Sequence, residues 1–393
     1  MSKSKITELE EYLEEKNTKL IRNEITLEIE EVVGRKRGTL NENTLFCNLE
    51  KEGHNIGMRT LKYFMLSDLI DSINPFQDYF DKVAKLYKPE SGDDLIDNLA
   101  SYVHASDQGE FNESFKKMLV QTVACALNDN VFNKHIFVLV QPEQNSGKTT
   151  FLRWLMPPGL EKYYQENIEP NKDGEIALAE NFIVNYDELA SLNRRQITSV
   201  KSFISRQFVK VRPPFGDKTI RAARRTSFVG STNQTNFLND PTGSVRWICH
   251  LIKKIDWNYK KDFNIDEIWS QAYCLYISGF KYELSSEEIN QNEISNEEFQ
   301  VETAEIEIIR KHFYEGTRED NDFILTPTEI ERIIKIHYNS TAKISLNGIG
   351  RALSSLHYKR ESHYRSKNTH SLKGYYIKLR DKNKLEGIKL LLN

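Results

Sequence analysis

Three short runs in this chain carry side chains able to act on a phosphate ester. The first, QPEQNSGKTT from Gln141 to Thr150, ends in Gly147-Lys148-Thr149. It lies between the continuous apolar run HIFVLVQ and a helix-like FLRWLM stopped by Pro157-Pro158, the placement that a phosphate-binding loop (P-loop) requires. Backbone N–H groups through Gln144, Asn145, Ser146, Gly147 and Thr150 would wrap the phosphates, and Gly147 lets the backbone approach closely. The Lys148 ammonium would reach the β/γ oxygens, and the Thr149 hydroxyl would ligate Mg²⁺. Pro142 stands where the usual GxxxxGK[ST] pattern has its first glycine, so the start of the loop is expected to differ in shape. The alternative is an ordinary strand, loop and helix with a solvated lysine.

The second run takes the apolar FIV through Asn185 and Tyr186 to Asp187-Glu188. Carboxylates at the C-terminal end of a strand sit where open α/β sheets bind ligands. Asp187 would hold Mg²⁺, usually through water, and Glu188 would orient and deprotonate the attacking water. A solvated strand end is the plainer reading. In the third run, TSFVG ends in Ser231-Thr232-Asn233, and Asn233 could hydrogen-bond the water or the γ-phosphate, although STN is also good turn chemistry. After the turn Asp240-Pro241-Thr242-Gly243 comes Arg246. This residue type stabilises transition-state charge from a neighbouring subunit, the alternatives being a surface salt bridge or a stack on Trp247. Lys210, Arg212, Lys218, Arg221, Arg224 and Arg225 bracket Pro213-Pro214-Phe215-Gly216-Asp217. Cations that follow phosphates, with Phe215 to stack on a base, suit single-stranded nucleic acid, and a solvated charged hairpin is the competing reading.

These side chains need a frame. FNESFKKMLVQTVACAL has apolar residues at helical spacing and feeds the strand-like HIFVLVQ. NFIVNYDEL is a second buried strand, SVKSFISRQF a helix, VKVRPPFGDKTIRAARR a hairpin, and TSFVGSTN a third strand. Alternating strands and helices predict an α/β core with a mostly parallel sheet. Before it, residues 1–105 read as a mixed, mainly helical region and 106–280 as the core. Residues 281–320 are rich in glutamate and read as an acidic helical connector, with Ser295 and Glu298 as a capping box ahead of Ile306, Ile309 and Phe313. Thr326, Pro327 and Glu329 mark a strong helix start. The basic segment 321–393 reads as a helix followed by a β-wing, a winged-helix-like domain.

The chain has 393 residues, enough for two or three domains, and Lys plus Arg at 54 against Asp plus Glu at 57 leaves no global charge to attract nucleic acid. Any such binding must be local. Four scattered cysteines without a CxxC pair point to reduced thiols and a cytoplasmic location, and no run is long and apolar enough to span a membrane.

Taken in order, QNSGKTTFLRWL, NYDELA, VKSFISRQFVKVRPPFG and RRTSFVGSTNQTNFLNDPTGSVRW resemble the virulence-associated protein E family of phage and mobile-element ATPases, related to superfamily 3 helicases. The resemblance covers roughly residues 70 to 280. It implies an AAA+-like P-loop core with Lys148 and Thr149 as the phosphate motif, Asp187 and Glu188 as the acidic motif, and Asn233 as the polar sensor. Lys201 and Arg212 would belong to the intervening motif, and Arg246 would be the inter-subunit finger. Val245 stands where a second arginine often occurs. The implied function is ATP- and Mg²⁺-dependent unwinding or translocation of single-stranded or forked DNA during replication of a mobile element, by a homo-oligomer, in all expectation a hexameric ring. No primase motif is visible, so any priming is expected from a separate protein. The alternative is a DNA-binding initiator or defence switch in which ATP controls assembly and no strand is separated.

Overall fold

A computed structural model of the chain describes residues 3–191, 194–214, 216, 218–238, 244–338, 343–363 and 372–392. It forms two compact units, Met1–Phe299 and Gln300–Asn393. The first unit opens with a small sheet of β1 (Thr18–Asn23), β2 (Ile29–Val33), β3 (Lys36–Thr39) and β4 (Asp71–Ile73), in the order β3-β2-β1-β4. Residues 1–105 therefore carry a sheet of their own beside their helices. Leu9, Leu20, Leu49, Leu61 and Met65 close its core.

The main sheet has six strands in the order β5-β12-β6-β11-β8-β7. They are β5 (Val103–Ala105), β6 (Ile136–Val140), β7 (Tyr164–Glu166), β8 (Ile183–Tyr186), β11 (Ser227–Thr232) and β12 (Trp247–Ile255). All neighbours pair in parallel except β5 with β12, which makes the predicted α/β core a mostly parallel sheet with one antiparallel edge. β5, β7 and β12 were not legible as strands. Both faces are covered, as a parallel sheet requires. Along β6 the side chains alternate, with Phe137 and Leu139 joining Phe111, Phe115, Phe151 and Trp269 on one face. Ile136, Val138 and Val140 join Phe203, Ile204, Phe228 and Trp247 on the other. Each fully buried side chain of this kind contributes about 1.5–3 kcal/mol, which favours placing the apolar run HIFVLVQ between β12 and β11, covered on both faces.

The helix Gln108–Leu127 precedes β6, with Asp107 accepting from Glu110 N at its start. Of the acidic stretch 281–320, residues through Phe299 belong to the first unit and the rest to the second. The helix Ser286–Ser295 begins with a Ser285/Glu288 capping box. Asn292 and Asn296 fasten this segment by donating to Trp247 O at 2.9 and 2.7 Å. Ser295 is therefore the last residue of that helix, and its hydroxyl donates to Glu110 Oε2 at 3.5 Å. The helix that carries Ile306 and Ile309, Ala304–His312, is capped by Thr303, whose hydroxyl accepts from Ile306 N.

In the second unit the expected Thr326/Glu329 box, with Pro327 in the first turn, starts the helix Pro327–His337. The helix Leu346–Ser355 follows, and then the antiparallel pair β15 (Arg360–His363) and β16 (Leu372–Leu379). β16 also pairs with β13 (Phe313–Glu315) and β14 (Phe323–Leu325). Tyr364, Arg365 and Lys367 of the expected wing lie outside the described residues. Among the described residues no helix is long and apolar enough to cross a membrane.

Candidate functional site

β6, β11 and β8 are adjacent and parallel, so their C-terminal ends bring residues 141–149, 231–233 and 187–188 to one edge of the sheet. The loop after β6 runs into the helix Lys148–Trp154 through Gly147, whose φ of 93° is open to glycine at little strain. Gln144 and Asn145 are exposed, Ser146, Thr149 and Thr150 half-buried, and Gly147 and Lys148 buried.

The loop closes around the Lys148 ammonium. Its Nζ donates to Gln141 O at 3.2 Å, Glu143 O at 3.1 Å, Ser146 Oγ at 2.9 Å and Asn233 Oδ1 at 2.7 Å. An ammonium has three hydrogens, so these four acceptors compete and an arriving phosphate oxygen can replace the weaker ones. Burial pushes this lysine below its ordinary range, while Asp187 and Glu143 pull it back.

A second cluster adjoins the first. Thr149 Oγ1 donates to Asp187 Oδ1 at 2.8 Å and Ser231 Oγ donates to the same oxygen at 2.5 Å, the two hydroxyls being 3.2 Å apart. This carboxylate and the two hydroxyls are hard oxygen groups of the kind that could hold Mg²⁺. Asp187 is held by its own N–H, which donates to Asn167 Oδ1 at 3.0 Å. Glu188 is exposed, with φ of 55°, and its N–H donates to Asp187 Oδ1 at 3.1 Å. A glutamate in the left-handed region costs of order 1 kcal/mol or more, so this backbone is imposed by its surroundings. Beside the pair opens a cleft of ≈ 340 Å³ bordered by Asn167, Glu169, Asp187, Glu188, Ser191 and Gln196. Ser231 was missed in the sequence, although its place two residues before Asn233 on a strand tip was the available signal.

Arg246 stands apart. Trp247 pairs with Ile136, so Arg246 lies at the opposite edge of the sheet, roughly 15–20 Å along the strands from the loop. It is half-buried, and its Nε donates to Ser205 Oγ at 2.9 Å. Ser205 in turn donates to the carbonyl of Lys201 at 2.7 Å, Lys201 itself being buried on the helix Arg194–Ile204. The preceding residues 239–243 are outside the described residues.

The basic run forms the antiparallel pair β9 (Phe208–Val211) and β10 (Ile220–Ala223). Lys210 and Arg221 stand opposite each other, and both are exposed, as are Arg212 and Lys218. The Arg221 guanidinium stacks 3.5 Å from the Phe208 ring centroid, and Arg212 Nε steadies the turn by donating to Gly216 O at 2.8 Å. Phe215 lies outside the described residues. Two cations of the run do not belong to a polymer-binding face. Arg224 is fully buried, donates to Ile204 O and Thr226 O, and burial brings it down to about 10. Arg225 donates to Ala126 O at 2.7 Å and pairs with Asp129. Backbone carbonyls hold both guanidinium groups, and that of Arg224 also lies over the rings of Phe132 and Phe228, at 5.6 and 5.2 Å.

A family model described as the Virulence-associated protein E-like domain matches residues 86–301, more than half of the chain. No curated protein matches. Among solved structures, the chain is similar to the apo structure of the NrS-1 C terminal region (305-718), at 11% identity and a TM-score of 0.47, covering 96% of this chain and 100% of that one. Two A form apo structures of the NrS-1 C terminal region are similar at 12% and 10% identity, with TM-scores of 0.46 and 0.45, each match covering 94% of this chain and 98% of that one.

Proposed function

Because the chain belongs to the family of virulence-associated protein E-like domains, we propose that it is a Mg²⁺-dependent ATPase with a P-loop AAA+-like core that drives movement on, or unwinding of, DNA in replication of a phage or mobile element. One observation carries the reading. Lys148, Thr149, Asp187, Ser231 and Asn233 come from three adjacent strand ends and are linked by hydrogen bonds of 2.5 to 3.2 Å. A cation, a carboxylate and hydroxyls gathered at the C-terminal edge of a parallel sheet suit a nucleoside triphosphate.

Lys148 gives up loop acceptors for the β/γ oxygens. Thr149 and Asp187 would hold Mg²⁺, which supplies charge neutralisation of the phosphates when bound. Glu188, exposed beside the cleft, takes the proton of the attacking water, and Asn233 orients that water or the γ-phosphate. Arg246 lies too far away to serve its own loop, which supports its use on the next subunit of a ring. The exposed Lys210, Arg212, Lys218 and Arg221 support single-strand contact. In the second unit, two helices followed by the pair β15–β16 support the winged-helix-like reading.

The test is ATP hydrolysis with Mg²⁺, with and without single-stranded DNA. Hydrolysis stimulated by DNA is expected, and no hydrolysis under either condition would overturn the reading. Strand displacement on a forked duplex separates a helicase from an initiator or defence switch, which would hydrolyse ATP and leave the strands paired.

A further inference from the structure

Three of the four tryptophans find cover. Trp247 and Trp269 are buried at 1% and 0% exposure and Trp154 is half-buried, while Trp257 is 48% exposed. Trp257 follows β12 at the same sheet edge as the phosphate loop. A methyl group placed on Gly147 would lie 2.8 Å from Trp257 Cζ2 and 2.9 Å from Cη2, so the indole rests against the glycine immediately before Lys148.

The ring is held there firmly. Two residues on, Tyr259 is fully buried and packs edge-on against Phe151, at 5.2 Å, and Trp154, at 4.9 Å, both on the helix that leaves the phosphate loop. On the other side, Asp256 N donates to Tyr102 O at 2.8 Å. The turn is thus fastened at both ends, and its mobility does not explain the exposure of the indole. The Lys260 ammonium lies over the ring, 4.9 Å from the centroid. It steadies the ring electrostatically, and the 48% exposure of the residue is the surface on which another planar group can pack.

We propose that Trp257 is the nucleobase platform of the site, stacking the purine of the triphosphate whose phosphates Lys148 holds, with Lys260 as its cationic support. This rests on the ATPase reading. The occupant is set by continuity: a ligand anchored in the loop has its phosphates beside Gly147, and the exposed indole rests against that same glycine. Stacking is tolerant of base identity, so the platform selects a large flat ring and does not by itself distinguish adenine from guanine.

The experiment compares ATP with inorganic tripolyphosphate, which has the phosphates and no base, by calorimetry on the full chain with Mg²⁺. Trp257→Ala is expected to weaken ATP on the order of 10-fold and to leave tripolyphosphate unchanged, and Trp257→Phe to restore most of the loss. Retained tripolyphosphate binding also shows that the variant is folded. Equal weakening of both ligands would make Trp257 a support of the loop and overturn the proposal. Unchanged ATP binding would place the base elsewhere and overturn it too. Should the wild-type chain bind neither ligand, the ATPase reading itself falls, an outcome distinct from the other two.

Discussion

Arg246→Ala separates a trans role from a structural one. In the folded chain this arginine donates to Ser205 Oγ at 2.9 Å and is half-buried. Its loss should cost about 1 kcal/mol of stability, too little to unfold the chain. Arg246 lies at the N-terminal end of β12 and the loop at the C-terminal end of β6, roughly 15–20 Å apart, farther than its side chain can reach. Ground-state ATP binding should therefore stay intact while turnover falls by about 10³ to 10⁵, the usual effect of removing an arginine finger. Mixing decides the matter. Arg246→Ala subunits keep Glu188, and Glu188→Gln subunits keep Arg246, so after subunit exchange at equal ratio about a quarter of the sites regain both groups. ATPase activity should reappear from two inactive proteins and peak near equal mixing. Where mixed rings are shown to form by mass and activity still stays at the single-variant level at every ratio, the trans role is refuted, and Arg246 is a tie to the helix carrying Ser205.

Lys148→Ala should abolish nucleotide binding, whereas Glu188→Gln should bind ATP and not turn it over, because one group holds ground-state phosphate and the other acts only on the water. Wild-type turnover by the glutamine variant would remove Glu188 as the base. Lys218→Ala should weaken single-stranded DNA binding about equally for all sequences and flatten the log–log salt slope by roughly 0.7, and an unchanged slope would move the contact elsewhere. His135 and His250 are buried and pushed down to about 4 from 6.5. Between these values the unfolded chain binds protons that the folded chain refuses. Stability is then complete above about 6.5 and lost as pH falls toward 4, by roughly 3 kcal/mol per histidine. A double His135→Gln, His250→Gln variant that kept the same acid slope in urea melts would contradict this. Gly147→Ala meets both a φ of 93° and the Trp257 ring. It should weaken inorganic tripolyphosphate as well as ATP, and adding Trp257→Ala should not restore tripolyphosphate binding, since the backbone strain remains.

The core was legible wherever local pattern and tertiary burial demand the same thing. HIFVLVQ, FIV and TSFVG are continuous apolar runs because strands in a parallel sheet are covered on both faces, and all three emerged as β6, β8 and β11. The Thr326-Pro327-Glu329 start was legible because a cap is decided within one turn. Ser295 misled for the complementary reason: Ser and Glu three apart suit a capping box anywhere, and Thr303 starts the later helix instead. β5 and β7, with three residues each, are too short to show a period, and they are strands because β12 and β8 offer them an edge.

Residue types and their order along the chain determined which chemistry is available: the GKT loop, the acidic pair and the Asn233 tip each follow an apolar run that can only be buried. Only the tertiary structure decided who meets whom. The order β6-β11-β8 inserts a strand between the loop and the acidic pair, which adds Ser231 to the Thr149–Asp187 contact and gives Asn233 to Lys148. It also sorted the cations, sending Arg224 into the core and leaving Lys210 and Arg221 exposed, because hydrogen bonds to buried carbonyls and the packing of β11 are not encoded in spacing along the chain. A linear pattern carries period and local capping. Strand order and burial come from contacts between residues far apart in sequence, and those are settled only when the whole core closes.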